Sequence, residues 1–597
     1  MFGVRRLDGE AIERSYVERC CAASADAGPD RQDIWLAPRE TGDVALGHCL
    51  LATTDDAQRE RQPSSLDGLW ISADARIDNR AEVAEALAAR GDLVAPDATD
   101  ERYILHAYRA WGLDALPRLE GDFAFVLWDA PRRTLIAARD CVGIRPLFYA
   151  RDSRRVMVAS EIRQLFVERG VSHELDPDVV SDYLRAAHRA DAGSSFYRAI
   201  RQVRPGHFLR VTADGVDEQR YWTWREPDPI RYATSGQYAE HLTEVFRAAV
   251  AARMRTSAPV GLLLSGGLDS SAIAGFAGDV LRRRGSDSRS LRTYSMVFDD
   301  HPDCDEREYI EPLTDALGVD RHWLYPERKK LFSRSPRVDE PDASTLAEPH
   351  WDDALADLSA AGGRVMFGGD AGETVFLGQS NWHFIDLLRR GNARGFLREL
   401  RGYVATWGEW PRLPWRGLVA AQLPDWAHRR LSSAMGRPRP RRRDRTFRSY
   451  AHQFAFDSIV SDAGTGAGWW VPAAHKANRY GVVYCYPFLD RRLLQFLFAV
   501  PVEQFFERGV DRAVLRRALA GLVPECVRMR TDPTAFDSWF GRVARGPELR
   551  GALQTEPWPT LPYLPARDVA LSSGTRAWRQ IALAQFVVWY HEVRPAV

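Results

Sequence analysis

The chain has 597 residues, of which 45% are apolar and 27% charged, with 81 basic and 81 acidic side chains. This length and composition are typical of a globular protein with two or more domains, and the balanced charge gives no argument for a nucleic-acid or membrane-surface partner. Because the chain has no apolar stretch of about 20 residues and no signal-peptide core, we expect no membrane span and a cytoplasmic location.

The amino-terminal third, up to about residue 222, alternates short strand and helix patterns. Strands are predicted at 69–72, 123–128 and 134–138, and helices at 80–89 and 100–110. This alternation indicates an α+β layered domain.

The same region resembles the glutaminase domain of glutamine-dependent asparagine synthetases. The resemblance rests on residues 76–80, 119–129, 138–140, 143–149 and 159–162, and it implies an Ntn-hydrolase-like α+β sandwich over residues 1–222. The family's nucleophile is an amino-terminal cysteine, but position 2 here is Phe2. The family's oxyanion-stabilising Asn-Gly falls at Asp74 and Ala75, and a carboxylate there would repel the oxyanion. We therefore expect this domain to be inactive as a glutaminase.

Two prolines and a polar run predict a linker over residues 223–236, followed by a second domain over residues 237–597. Early in that domain an apolar run, 260–264, leads into Ser-Gly-Gly-Leu-Asp-Ser-Ser at 265–271 and then a helical pattern. This order predicts a buried parallel strand with a loop at its carboxyl end, where α/β sheets bind ligands. Gly266 and Gly267 let the backbone approach an anion, and Asp269 offers a carboxylate to Mg²⁺. The loop has neither the Walker A lysine nor the dinucleotide glycine pattern.

The loop is similar to the pyrophosphate loop of the ATP pyrophosphatases, a family that includes asparagine synthetase, β-lactam synthetase and lasso-peptide cyclase. The resemblance implies a two-domain α/β protein whose second half is a parallel-sheet adenine-nucleotide α-hydrolase domain that uses ATP and Mg²⁺. It also implies that the nucleotide is bound by Leu263, Ser265, Gly266, Gly267, Asp269, Ser270, Ser271, Met296, Gly368 and Gly369.

A second predicted strand ends near Phe367 and leads into a glycine-rich turn with Asp370 and Glu373. In the family pattern, with one residue inserted, Glu373 takes the position of a metal-binding aspartate, so Asp269 and Glu373 would ligate Mg²⁺. Asp370 falls where asparagine synthetases place a glutamate, and we expect it to be catalytic. The alternative is a surface turn whose acids only cap a helix start.

The family lysine that stabilises charge during adenylation has no counterpart, since its position falls at Asp532 or Pro533. Arg530 or Arg528 would supply the positive charge, although an arginine cannot act as a base. Weak or lost turnover is the alternative. A basic, proline-broken loop at 436–445 is typical of solvated segments, with an acidic peptide as the alternative partner.

These features predict an ATP-dependent carbon–nitrogen ligase that forms AMP and pyrophosphate. Without ammonia from glutamine, the amine is expected on the substrate itself, where ring closure gains from high effective concentration. The arginine-rich second half and the aromatic segment 382–426 favour a lasso-peptide cyclase acting on a precursor peptide. That resemblance implies a leader-peptide-binding protein and a leader peptidase as partners. The alternatives are a β-lactam synthetase-like enzyme, an asparagine synthetase using free ammonia, and a non-catalytic scaffold.

Overall fold

A computed structural model describes residues 1–38, 42–186, 191–329, 340, 350–378, 381–408, 410–411, 446–460, 466–531, 534 and 539. The basic loop at 436–445, the lysine position at Asp532 or Pro533, and residues 412–426 of the aromatic segment lie outside the described residues.

The amino-terminal domain consists of two stacked six-stranded sheets whose strand pairs are antiparallel. One sheet has the order β10-β8-β9-β1-β3-β2 and the other β12-β11-β7-β6-β5-β4. The strands are β1 Phe2–Arg6, β2 Arg31–Leu36, β3 Val44–Leu50, β4 Ser64–Leu66, β5 Leu69–Ile77, β6 Gly121–Asp129, β7 Thr134–Arg139, β8 Phe148–Arg151, β9 Arg155–Ala159, β10 Ile200–Gln202, β11 His207–Thr212 and β12 Gly215–Arg220. The helices are α1 Arg14–Ala22, α2 Arg80–Ala88, α3 Asp100–Trp111, α4 Ile162–Leu165 and α5 Pro177–Ala186.

Alternating side chains of the two sheets form the core between them, with Leu46, Val126 and Val158 all 0% exposed. The sheets approach closely at Gly3, where a Cβ atom would lie 2.7 Å from Cγ1 of Val126. The other face of the first sheet packs on helices, so Phe2, on the opposite side of β1 from Gly3, is fully buried there.

The carboxyl-terminal domain is built on a parallel five-stranded sheet with the order β15-β14-β13-β16-β17. Its strands are β13 Val260–Leu263, β14 Leu291–Met296, β15 Asp320–Leu324, β16 Val365–Phe367 and β17 Val483–Cys485. Its helices are α6 Ser235–Arg253, α7 Leu268–Arg284, α8 Arg307–Leu317, α9 His350–Ala360, α10 Gly372–Val375, α11 Trp382–Arg389, α12 Ala393–Trp407, α13 Tyr450–Ile459, α14 Gly466–Asn478, α15 Arg491–Ala499, α16 Ala513–Ala518 and α17 Glu525–Arg528. The predicted fold class, an α+β sandwich followed by a parallel-sheet domain, is confirmed.

A buried ionic cluster joins the two domains. Arg253, 1% exposed at the end of α6, contacts Asp490 at 3.0 Å and reaches across the interface to Asp122 at 3.1 Å and Asp78 at 3.4 Å. Arg76 of the amino-terminal domain also pairs with Asp122 at 3.2 Å. Since an unpaired charge is costly in a protein interior, these groups keep the domains in one arrangement.

The predicted domain boundaries stay predictions, and the structure adds one local detail. The helix α6 begins at Ser235, inside the predicted linker, with Thr234 and Gln237 forming a reciprocal capping box. No helix within the described ranges combines the length and apolar character needed to cross a membrane.

Candidate active site

A cavity of about 360 Å³ opens at the carboxyl edge of the parallel sheet, above the ends of β13, β14 and β16. This is the edge at which parallel α/β sheets bind ligands. Of the residues predicted for the site, those that line the cavity are Leu263, Ser265, Gly267, Asp269, Ser270, Met296, Gly368, Gly369, Asp370, Glu373 and Arg530. Three predicted residues do not line it: Gly266, Ser271 and Arg528.

The loop after β13 holds its own shape through two serines. The Ser265 amide donates to Oγ of Ser270 at 3.1 Å, and the two hydroxyls lie 3.0 Å apart. The Gly267 amide donates to Oγ of Ser265 at 3.2 Å. Gly267 is also the N-cap of α7, and no side chain caps this helix end in the described part of the chain. The first amides of α7 therefore face the cavity as an anion site of the kind that suits a polyphosphate.

The Gly266 amide has another role, because it donates to Oε2 of Glu306 at 3.0 Å. In this arrangement that amide is not offered to a phosphate. The other oxygen of Glu306 pairs with Nη1 of Arg530 at 2.8 Å, and the guanidinium lies 3.8 Å from the ring centroid of Tyr309. Arg530 also donates to Oγ1 of Thr534. Glu306, which the sequence analysis did not assign, thus joins the loop to Arg530 and fixes its guanidinium beside the cavity.

Arg528, the other arginine considered for the missing lysine, points elsewhere. Its guanidinium bonds Glu525 at 2.7 and 2.8 Å and donates to the carbonyl oxygen of Arg516 at 3.1 Å. It therefore occupies the surface of α17, so the arrangement favours Arg530 over Arg528 as the cavity's cation. The Ser271 side chain is fully buried in α7, one residue past the part of the helix that faces the cavity.

Asp269 and Glu373 share one further arginine that the sequence analysis missed. Nη1 of Arg512 lies 3.1 Å from Oδ1 of Asp269. Although burial alone would lower it, the pKa of Arg512 is raised by the carboxylates of Asp269, Asp511 and Glu373. Arg512 precedes α16, has a left-handed φ of 54°, and lines the cavity. The only sequence signal for Arg512 was an arginine next to a predicted helix start.

Burial raises the pKa values of three acidic groups that line the cavity, namely Asp269, Asp370 and Glu373. For Asp269 and Glu373 the positive charge of Arg512 opposes this effect, while for Asp370 a backbone hydrogen bond opposes it. Gly372 lets the acids come together, since a Cβ atom there would lie 2.7 Å from Cγ of Asp269. These carboxyl groups therefore lose their protons less readily than exposed carboxyl groups do.

The acidic pair fits a Mg²⁺ ion that arrives with a nucleotide. Among the described residues, no three or more His, Cys, Asp or Glu side chains are grouped so that they could hold a metal by themselves. Mg²⁺ in nucleotide sites takes one or two carboxylates and completes its shell with phosphate oxygens and water. Asp269 and Glu373 meet that need, and a cation would favour their ionised forms.

A second cavity, of about 60 Å³, is lined mostly by the amino-terminal domain and also by Asn478 and Val483 of the carboxyl-terminal domain. It is lined by His48, Cys49, Asp74 and Arg145, and Nε of Arg145 lies 3.5 Å from Oδ1 of Asp74. The Phe2 side chain does not line it and lies in the helix-side core. The terminal ammonium of Met1 donates to Oγ of Ser160 at 3.1 Å.

Two family models match the chain: a glutamine amidotransferase domain over residues 1–222 and asparagine synthase over residues 241–553. Asparagine synthetase [glutamine-hydrolyzing] 3 of Bacillus subtilis is 24% identical over 546 residues, 87% of this chain and 83% of that protein. The putative asparagine synthetase 2 of Methanocaldococcus jannaschii is 25% identical over 65% of this chain and 77% of that protein. Amidase chry2 of Gibberella zeae is 30% identical over 52% of this chain. The match covers about half, 47%, of the length of that protein. The solved structure of a B. subtilis glutamine phosphoribosylpyrophosphate amidotransferase aligns with 14% identity and a TM-score of 0.29 over 65% of this chain and 78% of that one, a likeness too distant to add to the argument.

Proposed function

Since this chain belongs to the asparagine synthase family, whose members form amide bonds at the expense of ATP, we propose that it is a lasso-peptide cyclase. In this proposal it adenylates an Asp or Glu side-chain carboxylate of a precursor peptide and joins it to the peptide's amino terminus as a macrolactam. A leader-peptide-binding protein and a leader peptidase would be its partners.

The observation that carries the proposal is the place of Phe2. The residue where the family's glutaminase has its nucleophile is an apolar ring, 0% exposed, in the middle of a sheet. A phenyl ring cannot attack the glutamine amide, so the amine has to come from another source. An amine on the same molecule as the activated carboxyl group reacts at a high effective concentration.

The chemistry has two steps. A carboxylate oxygen attacks the α-phosphorus of ATP, the bond to the β-phosphate oxygen breaks, and pyrophosphate leaves. The amine nitrogen then attacks the acyl carbon, loses a proton, and AMP leaves with the electrons of the cleaved C–O bond. Mg²⁺, when bound to Asp269 and Glu373, would offset charge on the phosphates.

The cations of the cavity divide between its two sides. Arg530 is fixed by Glu306 next to the loop after β13 and takes the electrostatic role of the missing lysine. Arg512 on the other side offsets the charge of Asp269. Asp370, whose pKa is raised by burial, would hold a proton near the acyl group.

A second candidate is an asparagine synthetase that uses free ammonia. It is favoured by the match to Asparagine synthetase [glutamine-hydrolyzing] 3 over 87% of this chain. Ammonia would then enter from solvent, and aspartate would be the acid that is adenylated.

The test measures AMP and pyrophosphate with Mg²⁺ and ATP in three parallel reactions. One contains peptides encoded by short reading frames beside the gene, one contains small β-amino acids, and one contains aspartate with ammonium chloride. We expect a peptide to lose the mass of one water as AMP forms. AMP formation with aspartate and ammonium alone would select the second candidate, and with a β-amino acid alone a β-lactam synthetase-like enzyme. ATP left intact in all three would indicate a non-catalytic protein.

A further inference from the structure

One side chain of the cavity carries polar groups that the proposed chemistry does not use. His350 is the first residue of α9, is 2% exposed, and lines the cavity. Neither of its ring nitrogens has a hydrogen-bond partner within the described part of the chain. Because buried polar groups in folded proteins are nearly always hydrogen-bonded, the ring is expected to find its partner in a ligand.

The position of α9 shows where in the cavity His350 lies. On α9, Asp357 accepts hydrogen bonds from Tyr294 at 2.8 Å and Arg292 at 2.9 Å, both on β14. His350 lies seven residues earlier, or about two helical turns toward the start of α9. Since α9 leads into β16, which runs parallel to β14 and β13, its start lies at the carboxyl edge of the sheet, above Met296.

The walls around this end suit a flat aromatic ring. They are formed by Leu263, Met296 and Leu324, at the carboxyl ends of β13, β14 and β15, and by Trp351 on α9, whereas Asp370 and Glu373 follow β16 on the other side of β13. A nucleotide whose phosphates meet the start of α7 would therefore bring its base to the side of the cavity that holds His350.

The imidazole is held in its neutral form. Burial, together with the positive charges of Lys476 and Lys329, lowers the pKa of His350 to about 3. A neutral imidazole has one N–H donor and one nitrogen acceptor, whereas the protonated ring has no acceptor. The ring can therefore accept a hydrogen bond from an amino group of a base near neutral pH.

We infer that His350 recognises the purine base, by accepting a hydrogen bond from the exocyclic amine of adenine on a ring nitrogen. This inference deepens the proposed function and rests on it only in requiring that the nucleotide substrate is ATP. His350 is then a specificity-determining residue that touches the nucleotide far from the reacting phosphorus.

The test is equilibrium binding by titration calorimetry on the full chain with Mg²⁺, which needs no carboxylate substrate. The two probes are ATP and purine riboside 5′-triphosphate, which lacks the exocyclic amine. We expect the wild-type protein to prefer ATP by about tenfold, the effect of one hydrogen bond. His350→Phe should weaken ATP binding by about that factor and leave the analogue unaffected, so that the preference disappears. His350→Gln keeps an acceptor and should keep part of the preference.

The matched control is His241→Phe, because His241 lies on α6, bonds Tyr232 at 2.8 Å, and does not line the cavity. It should bind both probes as the wild type does. Equal affinity of the wild type for both probes, or an equal loss for both in His350→Phe, would overturn the inference while leaving ATP as substrate. Failure of the wild type to bind either probe would overturn the ATP-dependent function, and this inference with it.

Discussion

At the mouth of the cavity one guanidinium, that of Arg512, faces the carboxylates of Asp269 and Glu373. Its positive charge limits the repulsion between these acids, and at Asp269 the charge of Arg516 adds to this effect. When phosphates enter, the same cation is placed to offset their charge. Its loss therefore affects both the resting site and the charged transition state.

We predict that Arg512→Met slows pyrophosphate formation by about 10²-fold to 10³-fold, the usual cost of losing one preorganised donor. Arg512→Lys should recover part of the rate, because the charge survives although the planar fork does not. The measurement is initial pyrophosphate release with whichever substrate is turned over. Arg528→Met is the control and should change the rate little, since Arg528 lies outside the cavity. Equal losses in both variants would contradict the role of Arg512.

For Asp370 we predict an effect on the free energy of unfolding that depends on pH. Its pKa is raised by burial, so the folded state binds its proton more tightly than the unfolded state does. The protonated Asp370 carboxyl group therefore contributes its full stability below the pKa that it has in the unfolded state. This contribution is lost as the pH rises through its pKa in the folded state. Asp370→Asn should accordingly raise the free energy of unfolding at pH 7, by about 0.5–2 kcal/mol as single stabilising substitutions commonly do, while reducing turnover.

The check is the thermal midpoint of the two proteins between pH 7 and pH 4.5. The advantage of the Asn variant should shrink as the pH falls, because the wild-type carboxyl group becomes neutral too. Asp315→Asn, at a side chain that is 72% exposed, is the control without such a gain. A less stable Asp370→Asn protein at pH 7 would show that the carboxylate is stabilised by its surroundings.

At the scale of elements, the site depends on how closely the start of α10 approaches α7. A Cβ atom at Gly372 would lie 2.7 Å from Cγ of Asp269 and 2.8 Å from the Phe488 ring. Phe488 is fully buried and cannot give way cheaply, and the Asp269 carboxylate is held by Arg512 at 3.1 Å. The close approach of the two elements is thus what aligns Asp269 with Glu373.

We predict that Gly372→Ala lowers activity by about 10²-fold, since a displacement of about 1 Å in a catalytic group has that cost. The gain in helix propensity, about 1 kcal/mol for Ala over Gly, is outweighed by overpacking of about 1–3 kcal/mol. Rate and thermal midpoint are both measured. In the control, Gly236→Ala, the new methyl group would meet only Oγ1 of Thr234 at 3.7 Å, so neither quantity should fall. An active, stable Gly372→Ala protein would show that the turn can move.

The elements themselves were predictable from local sequence, whereas the contacts between them were not. The apolar run at 260–264 followed by the serine and glycine loop predicted the strand β13, the loop and the helix α7, and all three are present. The pairing of Asp269 with Arg512 joins residues 243 positions apart, and that of Glu306 with Arg530 spans 224. No spacing rule reaches so far, because such contacts are set by how whole elements pack. Hence Arg512, Glu306 and His350 emerged only from the structure.

On the scale of the whole molecule, the two domains share a buried set of charges. We predict that Arg253→Met lowers the free energy of unfolding by about 3–5 kcal/mol, because Asp78, Asp122 and Asp490 lose their common partner in a dry interface. Urea unfolding followed by tryptophan fluorescence measures this. Arg282→Met is the control, since that side chain is 64% exposed and its contact with Asp279 is 3.6 Å long. A loss below about 1 kcal/mol in Arg253→Met would mean that water solvates the cluster.

The amino-terminal domain also allows a prediction about the source of the amine. Glutamine should not support amide formation, because Phe2 offers no nucleophile and lies in a packed core. The measurement compares glutamate released from glutamine with product formed by the same sample. Glutamate release that keeps pace with product would disprove the proposed source of the amine.

The contact of Arg76 with Cys485 has a consequence for how such a protein can evolve or be recombined. Arg76 donates to Sγ of Cys485 at 2.8 Å, and the carbonyl oxygen of Cys485 accepts from the amide of Gly368, which begins the turn to Asp370. The first domain is therefore linked through β17 to the turn of the second domain that carries Asp370. A chimera that takes its first domain from an active glutaminase would have to bring matching charges at positions 76, 78 and 122. Without them, the new first domain would loosen the turn from Gly368 to Asp370 in the second domain.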